Sequence, residues 1–473
     1  MKFLELCSNI NLELISDEEI KLLNIIAESL NISLDDVTDN LQYRSIRQWD
    51  SLGHITLILA LEEYYEIEID EQVRDELNNV EKIKRFILNK DIGAPLNGNV
   101  LKDKINRGLT NIIFDYTNVS HVDGKNGKLY YRGYSINEIV DKCTYEEVMY
   151  LLLKGRLPLK HELSEFQKQV NENISISEKI REIIFDLKDA HPIDVLRTTI
   201  SALGALDTTK YTEDFFNLSV KILVQAPLIL SIQEGYRRGR EVKNVPPNLS
   251  YAGKLIYMIL GREPEKEEEK ILNRLLILQA EHSSNASSFA ARVASSTKVD
   301  IYSAVTAAIA TFAGELHGGA IEKVIQMLEE IKEPSNVKEY VKNRLEYGEP
   351  IMGFGHRVYQ TEDPRATHLK IDALKISNNK ELLKKYEILS ELEKEMEPYS
   401  SKGMSINVDF YSSLIYNQLG FSNDLLIALF SVGRMSGWLA QIQEQNSNNI
   451  LIRPILKYIG QTNIELVPLE KRS

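Results

Sequence analysis

The 473-residue chain is 43% hydrophobic and 26% charged, the make-up of an ordinary globular protein large enough for two or three cores. Its formal charge of −13 sits mostly at one end: residues 1–90 hold 9 Lys and Arg against 19 Asp and Glu, and the remaining 383 hold 47 against 50. That balance speaks against nucleic acid as a partner and for docking of the acidic end on basic protein surfaces. No run of 18 apolar residues occurs, since the densest stretch is broken by Gln225 and Pro227, and the N-terminus has no basic leader before an apolar block. The expectation is a cytoplasmic protein with no membrane partner. Cys7 and Cys143 are too few for a disulfide framework or a cysteine-rich zinc site.

Residues 16–30 predict a helix: Ser16 offers an N-cap, Glu19 follows as in a capping box, and Ile20, Leu23, Ile26, Ala27 and Leu30 recur at helical spacing. A second helix follows Trp49-Asp50-Ser51-Leu52-Gly53-His54, with Ile55, Ile58 and Leu59 on its expected buried side, and a third starts at Val80. Residues 1–90 thus predict a small helical bundle, joined to the rest by a Gly-, Pro- and Asn-bearing connector at 91–105. Ser51 has two readings: a plain N-cap, or the bearer of a phosphodiester facing the free N–H groups and positive dipole end of its helix. The stretch WDSLGHITLILALEEYYEIEI resembles the modified-serine motif and following helix of the acyl carrier proteins, over roughly residues 13–90. That resemblance implies a four-helix carrier bundle with 4′-phosphopantetheine on Ser51. Its partners would be a phosphopantetheinyl transferase and biosynthetic acyltransferases.

From residue 106 the pattern changes. Asp123-Gly124 and Asn126-Gly127 are hairpin signals, and beyond Asn137 helical spacing runs almost to the end, as in the segment before Gly155, a predicted C-cap. The fold class is mainly α with a small β-hairpin near the start of this part. Glu281 to Ala320 carries a histidine near each end, His282 and His317, with a small-residue helix expected between them; imidazoles suit acid–base work near neutral pH. His356 and Arg365 share a Gly- and Pro-bearing loop. Asp409 stands among apolar neighbours, which raise a carboxyl's pKa and suit it to act as a base. Singly, each has a plainer reading as a core or capping histidine, a surface arginine or a capping aspartate.

Together, ELHGGA at 315–320, GFGHRVY followed by DPRA at 353–366, and NVDFYS at 407–412 closely resemble the smaller bacterial and archaeal citrate synthases. So do KLYYRGYSI, HPIDVLRT, SSTKVDIYSAVTAAIA and VGRMSGWLAQIQEQ, and the resemblance covers nearly all of 106–473. It implies a two-domain all-helical fold whose smaller, mobile subdomain spans about 283–385, in a homodimer or larger homo-oligomer. Asp409 would deprotonate an acetyl thioester, His317 would stabilise the enol(ate) oxygen, and His356 would polarise and protonate the oxaloacetate carbonyl. Arg365, Arg434 and Arg453 would hold the oxaloacetate carboxylates, Arg453 reaching in from the neighbouring subunit, with His282 as the remaining oxaloacetate ligand. Coenzyme A would carry the acyl group, and no metal is implied.

The chain departs from the family pattern at Ser283, where His-Glu-x-Asn is common, at Ile321, at Gln360, where a basic residue associated with coenzyme A phosphates is usual, and at Ile455. A missing phosphate clamp and an attached carrier lead to one expectation: the donor is an acyl group on Ser51 or acetyl-CoA. The competing readings are a 2-methylcitrate synthase-type condensation with a propionyl donor, and a non-catalytic carrier-bearing scaffold.

Overall fold

The computed structural model describes residues 17–65, 67, 69, 71–88, 107–109, 112–240, 245–356, 358–359, 361–377 and 379–472. They belong to two compact units, Met1–Asp115 and Tyr116–Ser473.

In the first unit, helices α1 (Asp17–Leu30), α2 (Ser51–Tyr65), α3 (Glu71–Glu76) and α4 (Val80–Leu88) surround a core that includes Leu22, Ile26, Trp49, Leu57, Leu61 and Ile83. Ile26, Ala27 and Leu30 point inward as their spacing predicts, but Ile20 is exposed. On α2 the buried face is Leu57, Ile58 and Leu61, and the expected Ile55 and Leu59 face outward. Residues 55–61 are apolar on nearly every side, so helical spacing fits more than one face and packing against α1 selects among them. The cap of α2 is Asp50 rather than Ser51: Asp50 Oδ1 accepts the Gly53 N–H at 2.9 Å. Trp49 Nε1 donates to His54 Nδ1 at 3.1 Å, and His54 Nε2 donates to the Arg74 carbonyl at 3.0 Å, which pins the start of α2 to α3. Ser16 and the connector 91–105 lie outside the described residues.

The second unit begins with a three-stranded sheet. Strands β1 (Ser120–Asp123) and β2 (Lys128–Tyr131) pair antiparallel, with Ser120 opposite Tyr131, and β3 (Tyr134–Ser135) adds to β2. The turn falls where the paired Gly signals put it, and Asp123 Oδ1 accepts the Asn126 N–H across it at 3.0 Å. Helices follow: α5 (Ile136–Lys142), α6 (Tyr145–Lys154), α7 (Lys160–Glu172), α8 (Glu178–Asp186), α9 (Pro192–Leu206) and α10 (Phe215–Arg238). Thr144 and Glu147 form a capping box at the start of α6, and Gly155, at φ 78°, closes it.

Next come α11 (Tyr251–Leu255), α12 (Lys266–Gln279), α13 (Ala286–Ser296), α14 (Ile301–Phe312), α15 (Ala320–Ile331) and α16 (Val337–Glu346). The chain continues with α17 (Pro364–Lys375), α18 (Lys380–Met396), α19 (Val408–Leu419) and α20 (Leu426–Ser447). Two helices, α13 and α14, therefore lie between His282 and His317 where one was expected. Lys298 at φ 65° turns the chain, and Asp300 caps α14 by accepting the Ser303 N–H at 3.1 Å. Both helices pack along α20, the central helix of the unit, which is buried on all sides over most of its length. Both α10 and the segment Asn423–Ser447 are long and apolar enough to cross a membrane, but 72% and 100% of their apolar windows are covered by protein. They are core helices.

Candidate active site

The loop between α12 and α13 carries His282 into the interior, and three hydrogen bonds to the preceding Glu281 hold it there. The Tyr131 hydroxyl on β2 donates to the Glu281 carbonyl at 2.9 Å, and Glu281 Oε1 accepts from Ser120 and Gln441 at 3.0 and 2.8 Å. Gly437 on α20 makes the approach possible, since a Cβ there would stand 2.1 Å from the Ala280 carbonyl oxygen. A second junction joins the loops bearing His356 and Asp409. Phe354 bridges Ile406, Gly355 N–H donates to the Ser405 carbonyl at 2.8 Å, and Asn407 Nδ2 donates to the Gly355 carbonyl at 3.1 Å. Gly353 lies at φ 81° with its missing Cβ position 2.6 Å from the Phe410 ring, so neither another conformation nor a larger residue fits. Asn407 then caps α19 by accepting the Asp409 N–H at 3.0 Å.

Hydrogen bonds set the proton positions of two histidines. His317 Nε2 accepts the Ser287 N–H at 3.3 Å and lies 2.9 Å from Ser287 Oγ, so its proton sits on Nδ1. The Ser287 hydroxyl accepts the Trp438 Nε1–H at 3.0 Å, and its single proton is shared between His317 Nε2 at 2.9 Å and Asn285 Oδ1 at 2.7 Å. His356 has the opposite tautomer. Its Nδ1 accepts the Val358 and Tyr359 N–H groups, each at 3.0 Å, which leaves the proton on Nε2. Burial, with Arg434 beside His317 and Arg365 beside His356, brings each imidazole down to about 4. Both are therefore neutral donors at neutral pH. His282 is buried 3.2 Å from the Tyr359 hydroxyl, with its ring 5.1 Å from that of His356; burial, then Arg365 and His356, hold it well below the ordinary imidazole range.

Asp409 behaves oppositely. Part of the residue is accessible, but protein packs densely around its carboxyl, and that burial, with the Asp363 carboxylate adding to it, raises it to about 7 against the opposing pull of Arg365 and Arg434. Arg434 is buried, donates through Nε to the Gln279 carbonyl, and has its guanidinium 5.2 Å from the centre of the Phe430 ring. Desolvation and Arg365 lower it to about 10. Arg365 is buried and paired with Asp363 through Nε and Nη2 at 2.9 and 2.7 Å. Asp363 also caps α17. A guanidinium already half satisfied in this way is held rigidly, and among the described residues no hydrogen bond occupies Nη1, which leaves it to meet a ligand.

The chain thus gathers His282, His317, His356, Asp409, Arg365 and Arg434. Arg453 stands apart in the exposed segment after α20, with no ion pair or hydrogen bond to that cluster among the described residues. Ile321 is buried in α15, Ser283 takes a φ of 52° and donates its N–H to Ser120 Oγ, and Gln360 lies outside the described residues. Sequence reasoning gave no role to Ser287, which lies outside the quoted motifs, nor to Tyr359 and Asn407, which lie inside GFGHRVY and NVDFYS. It also passed over Asp363, although that residue stands two positions before Arg365 in the DPRA motif.

A carboxyl poised near neutrality, two neutral imidazole donors and buried guanidinium groups define an acid–base enzyme for an anionic, carbonyl-bearing substrate. Residues 108–455 match the family model for the citrate synthase C-terminal domain. The chain is 40% identical over 372 residues to citrate synthase 2 of Bacillus subtilis, covering 78% of this chain and 99% of that one. It is 36% identical over 377 residues to 2-methylcitrate synthase 2 of Corynebacterium glutamicum, with 78% and 98% covered. The structure resembles the ternary complex of carboxymethyl coenzyme A and oxaloacetate with citrate synthase from Thermoplasma acidophilum, with a TM-score of 0.75, 33% identity, and 78% and 100% of the two chains covered. The chain belongs to the citrate synthase family, acyltransferases that convert the acyl group to alkyl on transfer.

Proposed function

We propose that the Tyr116–Ser473 unit condenses an acetyl thioester with oxaloacetate and hydrolyses the product to citrate, with Asp409 as the base that removes the methyl proton. The observation that carries this reading is the Asp409 carboxyl raised to about 7 in company with two neutral histidines of opposite tautomer. His317 Nδ1–H donates to the thioester oxygen as the enolate forms, and His356 Nε2–H protonates the oxaloacetate carbonyl as the new bond closes. Arg365, Arg434 and His282 hold oxaloacetate, and closure of a subdomain at about 283–385 excludes water until hydrolysis. The test is thiol release that depends on oxaloacetate. A second reading, condensation of a propionyl donor, is favoured by the 36% identical 2-methylcitrate synthase. Comparing kcat/KM for acetyl and propionyl donors decides between them.

Arg453 completes the oxaloacetate site of a second copy of the chain in a homodimer. Support comes from the segment that bears it: Ile455, Leu456 and Ile459 are each at least 91% exposed, an apolar run that one chain leaves uncovered. Mixing an Arg453→Ala protein with an Asp409→Asn protein under exchange conditions is expected to restore activity, because the mixed dimer regains one whole site. No recovery despite demonstrated exchange would return Arg453 to its own chain's site or to none.

The Met1–Asp115 unit is a carrier with 4′-phosphopantetheine on Ser51. Asp50 takes the capping role at α2, so Ser51 is not needed for it. Exposed Ile55 and Leu59 on the same helix offer an apolar surface to a transferase or acyltransferase. A tethered arm would present its thioester to the condensing unit at roughly millimolar effective concentration. Coexpression with a phosphopantetheinyl transferase is expected to add the mass of one arm to the native protein and none to Ser51→Ala. Loaded carrier should then support citrate formation without coenzyme A. Modification without such turnover would leave a carrier that serves another enzyme.

A further inference from the structure

The backbone around His282 is tied to the small sheet on both sides. The Tyr131 hydroxyl of β2 donates to the Glu281 carbonyl at 2.9 Å, and the Ser283 N–H donates to Ser120 Oγ of β1 at 3.0 Å. Those bonds fix the chain but leave the imidazole free to turn over, which exchanges Nδ1 and Nε2. Among the described residues one hydrogen bond reaches the ring itself: the Tyr359 hydroxyl lies 3.2 Å from Nε2.

The same sheet seats Tyr359. The turn between β1 and β2 abuts the loop before α17 so closely that a Cβ at Gly124 would stand 2.1 Å from the Val358 carbonyl oxygen. The next residue, Tyr359, is 2% exposed, with its ring centre 5.5 Å from that of His282 and 4.6 Å from that of His356. Burial holds its phenol above the ordinary tyrosine range, so the hydroxyl keeps its proton at neutral pH.

Two arrangements fit the 3.2 Å contact. If His282 Nε2–H donated, the buried Tyr359 proton would lack an acceptor, since no other hydrogen bond involves that hydroxyl among the described residues. If Tyr359 donates, its proton is satisfied and only oxygen lone pairs are left over, the smaller deficit. The second arrangement places the His282 proton on Nδ1. The ring is neutral, because burial, then Arg365 and His356, hold it well below the ordinary imidazole range. No hydrogen bond reaches Nδ1 among the described residues, so Nδ1–H is the group left to meet a ligand oxygen.

We propose that Tyr359 is a positioning residue of the oxaloacetate site, its hydroxyl fixing His282 as an Nδ1–H donor to an oxygen of oxaloacetate. The inference rests on the condensation assigned above. Tyr359→Phe removes one oxygen and keeps the ring, together with the backbone N–H that His356 accepts. Without that donor the tautomer is released toward Nε2–H, the form a free histidine side chain prefers, and Nδ1 turns a lone pair toward the substrate. Nitrogen-15 chemical shifts of the substrate-free protein test the first half of the proposal, and steady-state kinetics test the second. The native protein is expected to show His282 neutral with its proton on Nδ1. Tyr359→Phe should move proton population to Nε2 of His282 while His317 and His356 keep their native shifts. Its KM for oxaloacetate should rise about tenfold, with kcat within about threefold of native. His282→Asn keeps a donor near the Nδ1 position with no need of Tyr359, so adding Tyr359→Phe to it should raise KM no further. A native His282 protonated on Nε2 overturns the proposal without any variant, and so do unchanged shifts and KM in Tyr359→Phe. An equal rise in KM on the His282→Asn background also overturns it, since Tyr359 would then act by packing alone. A native protein that releases no thiol with oxaloacetate defeats the condensation reading instead, and the nitrogen shifts then decide Tyr359's hold on His282 by themselves.

Discussion

Asp409→Asn is expected to lower kcat for oxaloacetate-dependent thiol release by about 10²- to 10⁴-fold, the range for loss of a positioned general base. Oxaloacetate affinity should change little, because Arg365, Arg434 and His282 remain in place. The pH profile provides a sharper check. A base raised to about 7 is protonated and idle below that pH, so native kcat/KM should rise with pH through about 7 and then level. His317 and His356, each held to about 4, are already neutral across that window and add no ionisation to it. Stability should run the other way. The folded carboxyl keeps a proton that the unfolded one, near 3.8, gives up, so the native protein loses stability as pH rises from about 4 to about 7. Asp409→Asn should therefore melt higher than native at pH 8, and the gap should close toward pH 4. A variant with full turnover, or a rate profile flat from pH 5 to 9, would remove Asp409 from the role of base.

His317→Ala is expected to lower kcat by about 10²- to 10³-fold, the usual cost of one oxyanion donor, with oxaloacetate binding intact. The expectation rests on the fixed tautomer. The Ser287 N–H occupies Nε2, so Nδ1–H is the group left to face an oxygen that gains charge. An imidazolium would donate more strongly but would need a proton that burial and Arg434 withhold. Nitrogen-15 chemical shifts should show His317 neutral and protonated at Nδ1 from pH 6 to 9. A charged ring in that range, or a loss confined to oxaloacetate affinity, would contradict the assignment.

Much of this was legible in linear order. The hairpin turn at 123–128 and the Gly155 cap follow from local rules, since a turn or cap is decided by residues a few positions apart. The motifs around His317, His356, Asp409 and Arg365 were visible for the same reason: each is a contiguous run in which an unusual residue stands beside glycine, proline or apolar neighbours. The buried face of α2 was misread because nearly every position from 55 to 61 is apolar, and only packing chooses a side. One expected helix between His282 and His317 became two because the turn at Lys298 has neither glycine nor proline to mark it.

The sequence by itself determined which residue types could carry the chemistry, and in which order they come. Tertiary structure decided their states. His317 is a neutral Nδ1–H donor because Ser287, thirty positions away, meets its other nitrogen, with Trp438 on α20 fixing the Ser287 hydroxyl. Asp409 is raised to about 7 because burial, helped by the Asp363 carboxylate, outweighs two guanidinium groups, a balance that depends on distance and desolvation rather than on neighbours along the chain. Proton positions and charge are properties of the packed site, and they exist only once the helices have closed around it.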